Sequence, residues 1–442
     1  MKSEGSRLVC AGCGASPPAS EPYPFRCPNA GAGDVDHVLR RVLPRVDFPS
    51  RDAEPNPFVR FRRLLHAWHL GLPDDEFVEL VRALDRRVAA VAGHGFEITP
   101  FSRSTALSDE LGFSKRGGVW VKDETGNVSG SHKARHLFGV LVYLETAERL
   151  GLARGRPDLA VASCGNAALA AAVVAAAGGR TLQVFVPVDA DPVVLTQLHD
   201  LGAVVEVCAR TGAPGDPTYA RLLEALHDGA LPFTCQGNLN GLAIEGGYTL
   251  GWELAASGVT LDRVVVQVGG GALASAVAAG LREGGPAPRL DTVQTESAWP
   301  LKRAFDAATD LHYAATHRSE FMWPWEQEPH SIAHGILDDE TYDWLAVVEA
   351  MRESGGTPLV VGERTLARAN EIAVRATGID VDPTGSAGLA GLLSLAENAL
   401  VSPDERVAVL FTGVDRAHET RRRRDEELLG ARHPVAQGIR AG

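Results

Sequence analysis

Long apolar runs are missing from this 442-residue chain. The most apolar stretch, Ala167 to Gly179, is thirteen residues of mostly alanine and valine. A bilayer-spanning helix needs about 20, so this stretch suits a buried helix and no membrane role is expected. Positive charge is also short: the formal net charge is −13, which argues against nucleic acid, whose phosphates need a basic face. The one basic run, Arg421 to Arg424, leads at once into Asp425, Glu426 and Glu427 and reads as a solvated helix face. Met1 to Cys10 has no apolar core of signal-peptide length. The six cysteines are unevenly spread, with Cys10, Cys13 and Cys27 near the start and Cys164, Cys208 and Cys235 far apart. That spacing suggests no disulfide framework, and a reducing cytoplasm is expected. There is no internal repeat, no GxxxxGK[ST] and no GxGxxG, which weakens nucleoside-triphosphate and dinucleotide readings.

What is present is a chain long enough for two domains and an appendage. Residues 1–45 stand apart, holding the first three cysteines and the prolines from Pro17 to Pro24. The stretch from Pro49 to Pro57 reads as a linker, so the first segment is expected to be dispensable for chemistry. Helical patterns follow at Phe58 to His69 and at Asp74 to Val91, where Asp74 and Asp75 favour a helix start after Pro73. From Val119 onward short apolar runs alternate with Ala/Leu-rich helical stretches. Val119–Val121, Leu159–Val161, Leu182–Val186, Val204–Val205, Arg263–Val268, Thr292–Gln294 and Val407–Phe411 read as buried strands. Such alternation predicts an α/β fold with parallel sheets covered on both faces. The segment after Ala431 is Gly/Pro-spaced and is expected to fray.

Four motifs carry chemistry. Ser129-Gly130-Ser131-His132-Lys133 opens a helix after the Val119 strand. A Schiff-base lysine needs a partly desolvated niche that keeps its amine neutral, and small neighbours let a cofactor approach. Ser163-Cys164-Gly165-Asn166 ends the Leu159 strand and leads into a helix, where backbone donors and the amide suit an anionic oxygen or a carboxylate. Val268-Gly269-Gly270-Gly271-Ala272 lies between a strand and an alanine-rich helix, the setting in which glycines wrap a phosphate. Phe411-Thr412-Gly413 places a hydroxyl at the carboxyl end of a strand. Read singly, each motif also fits a surface lysine, a capped loop or a plain turn.

In this order the four resemble the fold type II pyridoxal-5'-phosphate (PLP) enzymes, the tryptophan synthase β-subunit superfamily, and threonine synthases most closely, over Thr99 to Arg416. The resemblance implies two domains of parallel-rich twisted sheet with helices on both faces, plus a small N-terminal ribbon-like segment. The large domain would comprise 46–138 and 236–430, the small one 139–235, and 431–442 a tail. It implies Lys133 as the Schiff-base lysine, Asn166 at the pyridine 3'-oxygen, and Gly269, Gly270, Gly271 and Ala272 around the phosphate. Thr412 would meet the pyridine nitrogen and leave it largely unprotonated, which suits elimination and replacement. Ser163, Cys164 and Gly165 would hold the substrate carboxylate. A homodimer is implied as well.

Three departures bear on substrate and metal. Where threonine synthases often carry a threonine and an arginine that help bind the substrate phosphate, this chain has Ala167 and Ala177, and losing a guanidinium removes a bidentate phosphate grip. Arg103, Arg135 and Arg180 are the remaining candidates for that grip. His132 replaces the usual phenylalanine before the lysine and reads as a leaving-group proton donor or, preferentially, a supporting hydrogen bonder. Cys10-x-x-Cys13 with Cys27-Pro28 resembles a zinc ribbon, with Ala30 standing where the fourth cysteine is expected. Asp34 or His37 would have to complete it; otherwise the ribbon is vestigial. The expected activity is PLP-dependent α,β-elimination (ammonia-lyase or dehydratase type) or β-replacement on a small unphosphorylated amino acid. The alternatives are threonine synthase-type β,γ-replacement on O-phosphohomoserine and a non-catalytic PLP-binding homologue.

Overall fold

The computed structural model describes residues 5–50, 52–210 and 216–416. The basic run at Arg421 and the segment from 431 lie outside the described residues. The described residues form twelve strands, the valine-rich apolar runs among them: β1 (Arg7–Cys10), β2 (Leu39–Val42), β3 (Phe101–Ser104), β4 (Gly118–Asp123), β5 (Leu159–Ala162), β6 (Leu182–Pro187), β7 (Val204–Cys208), β8 (Leu231–Pro232), β9 (Arg263–Gln267), β10 (Arg289–Thr295), β11 (Pro358–Val361) and β12 (Arg406–Phe411).

A six-stranded sheet runs β11-β10-β9-β12-β4-β3 and a four-stranded one runs β7-β6-β5-β8. Every pairing in them is parallel except that of β3 with β4. The fold is therefore α/β with parallel-rich sheets, and β9 (burial complete along RVVVQ) lies at the centre of the larger one. Strands buried on both faces lose the polar alternation of a one-sided sheet, which is why they stood out as continuous apolar runs.

Phe58 to His69 is not one helix. A single turn at Pro57–Arg60, capped by the Asn56 side chain, is followed by 3-10 turns at Arg62–Leu64 and His66–Leu70. Phe58, Phe61, Leu64 and Ala67 are all buried, and their spacing of three matches three residues per turn. The pattern was helical, but with the tighter period. The expected helix from Asp74 is present as α1 (Asp74–Ala92).

The N-terminal segment is a wall of the core rather than a detached appendage. Leu8, Cys10, Phe25, Cys27 and Leu39 join the same apolar cluster as Phe58 and Trp252. The β1–β2 hairpin escaped sequence reading because β2 is Leu-Arg-Arg-Val. Its Arg41 side chain is nevertheless buried, paired with Glu245 and Glu283, while Arg40 pairs with Glu349.

Candidate active site

Each of the four motifs follows a strand, and the structure brings them together at the strands' carboxyl ends. Lys133 begins α2 (Lys133–Arg149), Asn166 begins α3 (Asn166–Gly178), and the glycines precede α5 (Ala272–Gly284), with α4 (Gly241–Ala256) between. Residues 130–132 are stitched to 412–414: His132 N–H donates to Thr412 O at 3.1 Å, Val414 N–H to Gly130 O at 2.9 Å, and Ser131 bridges Gly413. Ser129, immediately before, has φ 59°, a left-handed conformation that non-glycine residues adopt at some expense. Gly413 admits Asn166, because a methyl there would stand 2.9 Å from Asn166 Nδ2.

Arg416 ties two motifs together, donating from Nε and Nη2 to Asn166 Oδ1 and from Nη2 to Ser129 O. Gln267, the last residue of β9, ties two more. Its Nε2 donates to Thr412 Oγ1 at 2.8 Å and to Gly385 O at 2.9 Å. With an acceptor site of Thr412 Oγ1 taken by Gln267, its own O–H remains to be donated. That donor fits an unprotonated pyridine nitrogen.

The glycine loop behaves as an anion cradle. The Gly270 N–H donates to the Asp338 carboxylate, whose pKa burial pushes up while Lys133 and this bond hold it down. A methyl at Gly269 would stand 2.2 Å from Asp338 Oδ2, and Gly271 has φ +94°, a conformation that favours glycine. The Asp338 carboxylate is thus received at the N-terminus of α5, where backbone donors and the helix dipole suit an anion. These groups fit pyridoxal phosphate: an anion cradle, a hydroxyl donor, an amide and a lysine whose amine has no hydrogen-bond or ion-pair partner among the described residues.

His132 is buried, with Nδ1 3.2 Å from Thr412 O. Burial, then Lys133 and His136, lower its pKa well below the usual value, so it is a neutral hydrogen bonder to the Thr412 carbonyl. Ser163, Cys164 and Gly165 form the loop before α3, where Ser163 Oγ accepts from Gly165 N–H and Cys164 is exposed.

The arginines are committed elsewhere. Arg135 is fully buried and grips Glu124 and Glu253, and Lys122 joins it on Glu253. This two-acid, two-base cluster anchors the first turn of α2, directly after Lys133. Arg180 pairs with Glu145 and Glu148, and Arg103 binds the Gly117 and Ser114 carbonyls. The reading of Ala177 as a vacated phosphate position is corrected. It lies eleven residues along α3 from Asn166, about 16 Å at helical rise, and is buried in the core.

Gln267, Arg416, Glu124, Glu253 and Asp338 were missed from sequence. Only Gln267 carried a signal, as an amide closing a buried strand directly after three valines.

Residues 94–413 match the family described as pyridoxal-phosphate dependent enzymes. The chain is 27% identical over 323 residues to a threonine synthase of Methanosarcina acetivorans, covering 71% of this chain and 74% of that one. It is 25% identical over 337 residues to a biosynthetic L-threonine dehydratase of Haemophilus influenzae, covering 76% and 59%. Among solved structures, maize serine racemase superposes with a TM-score of 0.61 at 19% identity, covering 80% of this chain and 98% of that one. The processed threonine deaminase isoform 2 of Solanum lycopersicum gives 0.60 at 18%, covering 85% and 96%.

Proposed function

This chain belongs to the pyridoxal-phosphate dependent enzyme family, and from that premise we propose that it catalyses α,β-elimination or β-replacement on a small unphosphorylated amino acid. The cofactor supplies an electron sink for charge developing at the substrate α-carbon. Lys133 would hold it covalently through Nζ, and the same amine, when free, would take the substrate α-proton. The N–H groups of Gly269, Gly270, Gly271 and Ala272 would hold the phosphate. Thr412 Oγ would donate to the ring nitrogen without protonating it, and Asn166 would hold the 3'-oxygen. Ser163, Cys164 and Gly165 bind the substrate carboxylate. Loss of the β-substituent followed by water gives a 2-oxo acid and ammonia, whereas a second nucleophile gives a β-substituted amino acid.

In this reading residues 46–138 and 236–430 form the cofactor-bearing domain and 139–235 the smaller one, in a cytoplasmic homodimer. The family resemblance supports the dimer, and the free cysteines support a reducing compartment.

The observation that carries the substrate class is the commitment of Arg103, Arg135, Arg180 and Arg416 to protein partners. A phosphate dianion held away from water needs such a group. The second reading, β,γ-replacement on O-phosphohomoserine, is favoured by the similarity to threonine synthases. A panel of serine, threonine, related amino acids and phosphohomoserine, scored for 2-oxo acid, ammonia and phosphate release, separates the two. Ammonia and 2-oxo acid from an unphosphorylated substrate support the first; efficient phosphate release from phosphohomoserine establishes the second.

A further inference from the structure

Four soft donors in the N-terminal segment have no part in this chemistry. Cys10 and Cys13 flank the turn that ends β1, Cys27 leaves the proline-rich loop, and His37 lies just before β2. Their ligand atoms all lie within 4.8 Å of one another. Cys13 Sγ is 3.5 Å from Cys27 Sγ, and Cys10 Sγ is 3.6 Å from His37 Nδ1. Tetrahedral coordination at about 2.3 Å to sulfur and about 2.0 Å to nitrogen sets donor separations of about 3.5–3.8 Å.

The surroundings are those of a ligand set. His37 Nε2 lies 3.0 Å from Ala32 O, which places the ring proton on Nε2 and leaves the Nδ1 lone pair facing Cys10. The backbone N–H groups of Cys13 and Asn29 donate to the sulfurs of Cys10 and Cys27. Gly12 lets the turn close, since a methyl there would stand 2.5 Å from Asp36 O. Asp34, the other sequence candidate for a fourth ligand, is committed to Ser319.

We propose that Cys10, Cys13, Cys27 and His37 bind one zinc ion, and that this ion braces the glycine loop from behind. Three thiolates and an imidazole in a closed tetrahedron suit zinc over harder cations. The neighbours of His37 carry the brace inward. The Asp36 carboxylate accepts from Trp344 Nε1 at 3.1 Å and faces Arg318. Val38 packs on Gly237, whose N–H donates to Asp343. Asp343 N–H in turn donates to Gly270 O at 3.0 Å. The brace, unlike the zinc site, rests on the assignment of Gly269 to Gly271 to the cofactor phosphate.

The test uses the full chain, purified reduced, with metal counted by mass spectrometry and the site probed by cobalt(II) absorbance. One zinc per chain is expected, with tetrahedral cobalt bands and a thiolate charge-transfer band. Cys13→Ser and His37→Ala should each lose at least ten-fold in zinc affinity, while Asp34→Asn keeps it. Less than a tenth of an equivalent in the reduced protein, or unchanged binding in Cys13→Ser, overturns the site whatever the enzyme's reaction. The brace is read separately, by fluorescence titration with pyridoxal phosphate before and after zinc removal. Weakening of several-fold is expected, and unchanged affinity in the zinc-free chain overturns the brace alone. Circular dichroism on each variant separates loss of the ion from loss of the fold.

Discussion

Gln267 Nε2 lies 2.8 Å from Thr412 Oγ1, joining the strand that enters the glycine loop to the hydroxyl assigned to the pyridine nitrogen. Because the amide takes the role of donor, the threonine proton is directed away from it. Thr412→Ala should retain cofactor yet shift its absorbance and slow turnover by ten- to a hundred-fold, about 1.4–2.7 kcal/mol in the barrier. Thr412→Ser should restore both. Gln267→Leu should move the same spectrum in the same direction with a smaller loss. An unchanged spectrum in Thr412→Ala would reassign the role to another hydroxyl.

The Arg135 cluster makes a stability prediction. Two cations and two carboxylates share one buried site, and removing one partner leaves a charge uncompensated. Glu253→Gln should destabilise the protein by about 3–5 kcal/mol, read as a lowered midpoint in urea. A change below about 1 kcal/mol would show that the cluster does not anchor α2.

Ala177→Arg should not create phosphate chemistry. The side chain would enter the core at the far end of α3, and an unpaired buried charge costs several kcal/mol in rough terms. A lowered melting temperature with no gain in phosphate release from phosphohomoserine is expected. A gain would mean that the helix sits differently in the working enzyme.

Asp343 gives a pH prediction. Burial pushes its carboxyl up to about 7, reinforced by Asp36 and opposed by the Gly237 N–H, Arg40 and Lys133. The folded state therefore holds this proton more tightly than the unfolded chain, whose pKa is about 3.9. Its contribution to stability is lost as pH rises from about 4 through 7. Asp343→Asn removes the titration, so the variant should gain on the natural protein by about 2–4 kcal/mol at pH 8. The gap should close toward pH 4.5, and a gap independent of pH contradicts the assignment.

The sheet and the four motifs were legible because they follow simple rules. Val264, Val265 and Val266 are apolar on both faces of β9, and the strand–glycine–helix order around Gly269 to Ala272 needs no tertiary knowledge. What was not legible depends on partners remote in sequence. Arg135 read as a potential phosphate ligand until Glu124 and Glu253 stood beside it. His37 was one of two candidates until the fold turned Asp34 toward Ser319. Ala177 misled because alignment position carries no distance, and only the helix reveals that eleven residues is a separation of three turns.

Reduction of the cofactor-loaded protein with borohydride, followed by peptide mapping, tests the central assignment most directly. The phosphopyridoxyl group should be found on the peptide containing Lys133, with Lys133→Ala losing the label while remaining folded. Lys122 is fully buried and held by Glu253 and the Thr99 carbonyl, and Lys115 is exposed on a loop. Stoichiometric label on either of them, or a Lys133→Ala protein that still traps the cofactor, would contradict the account.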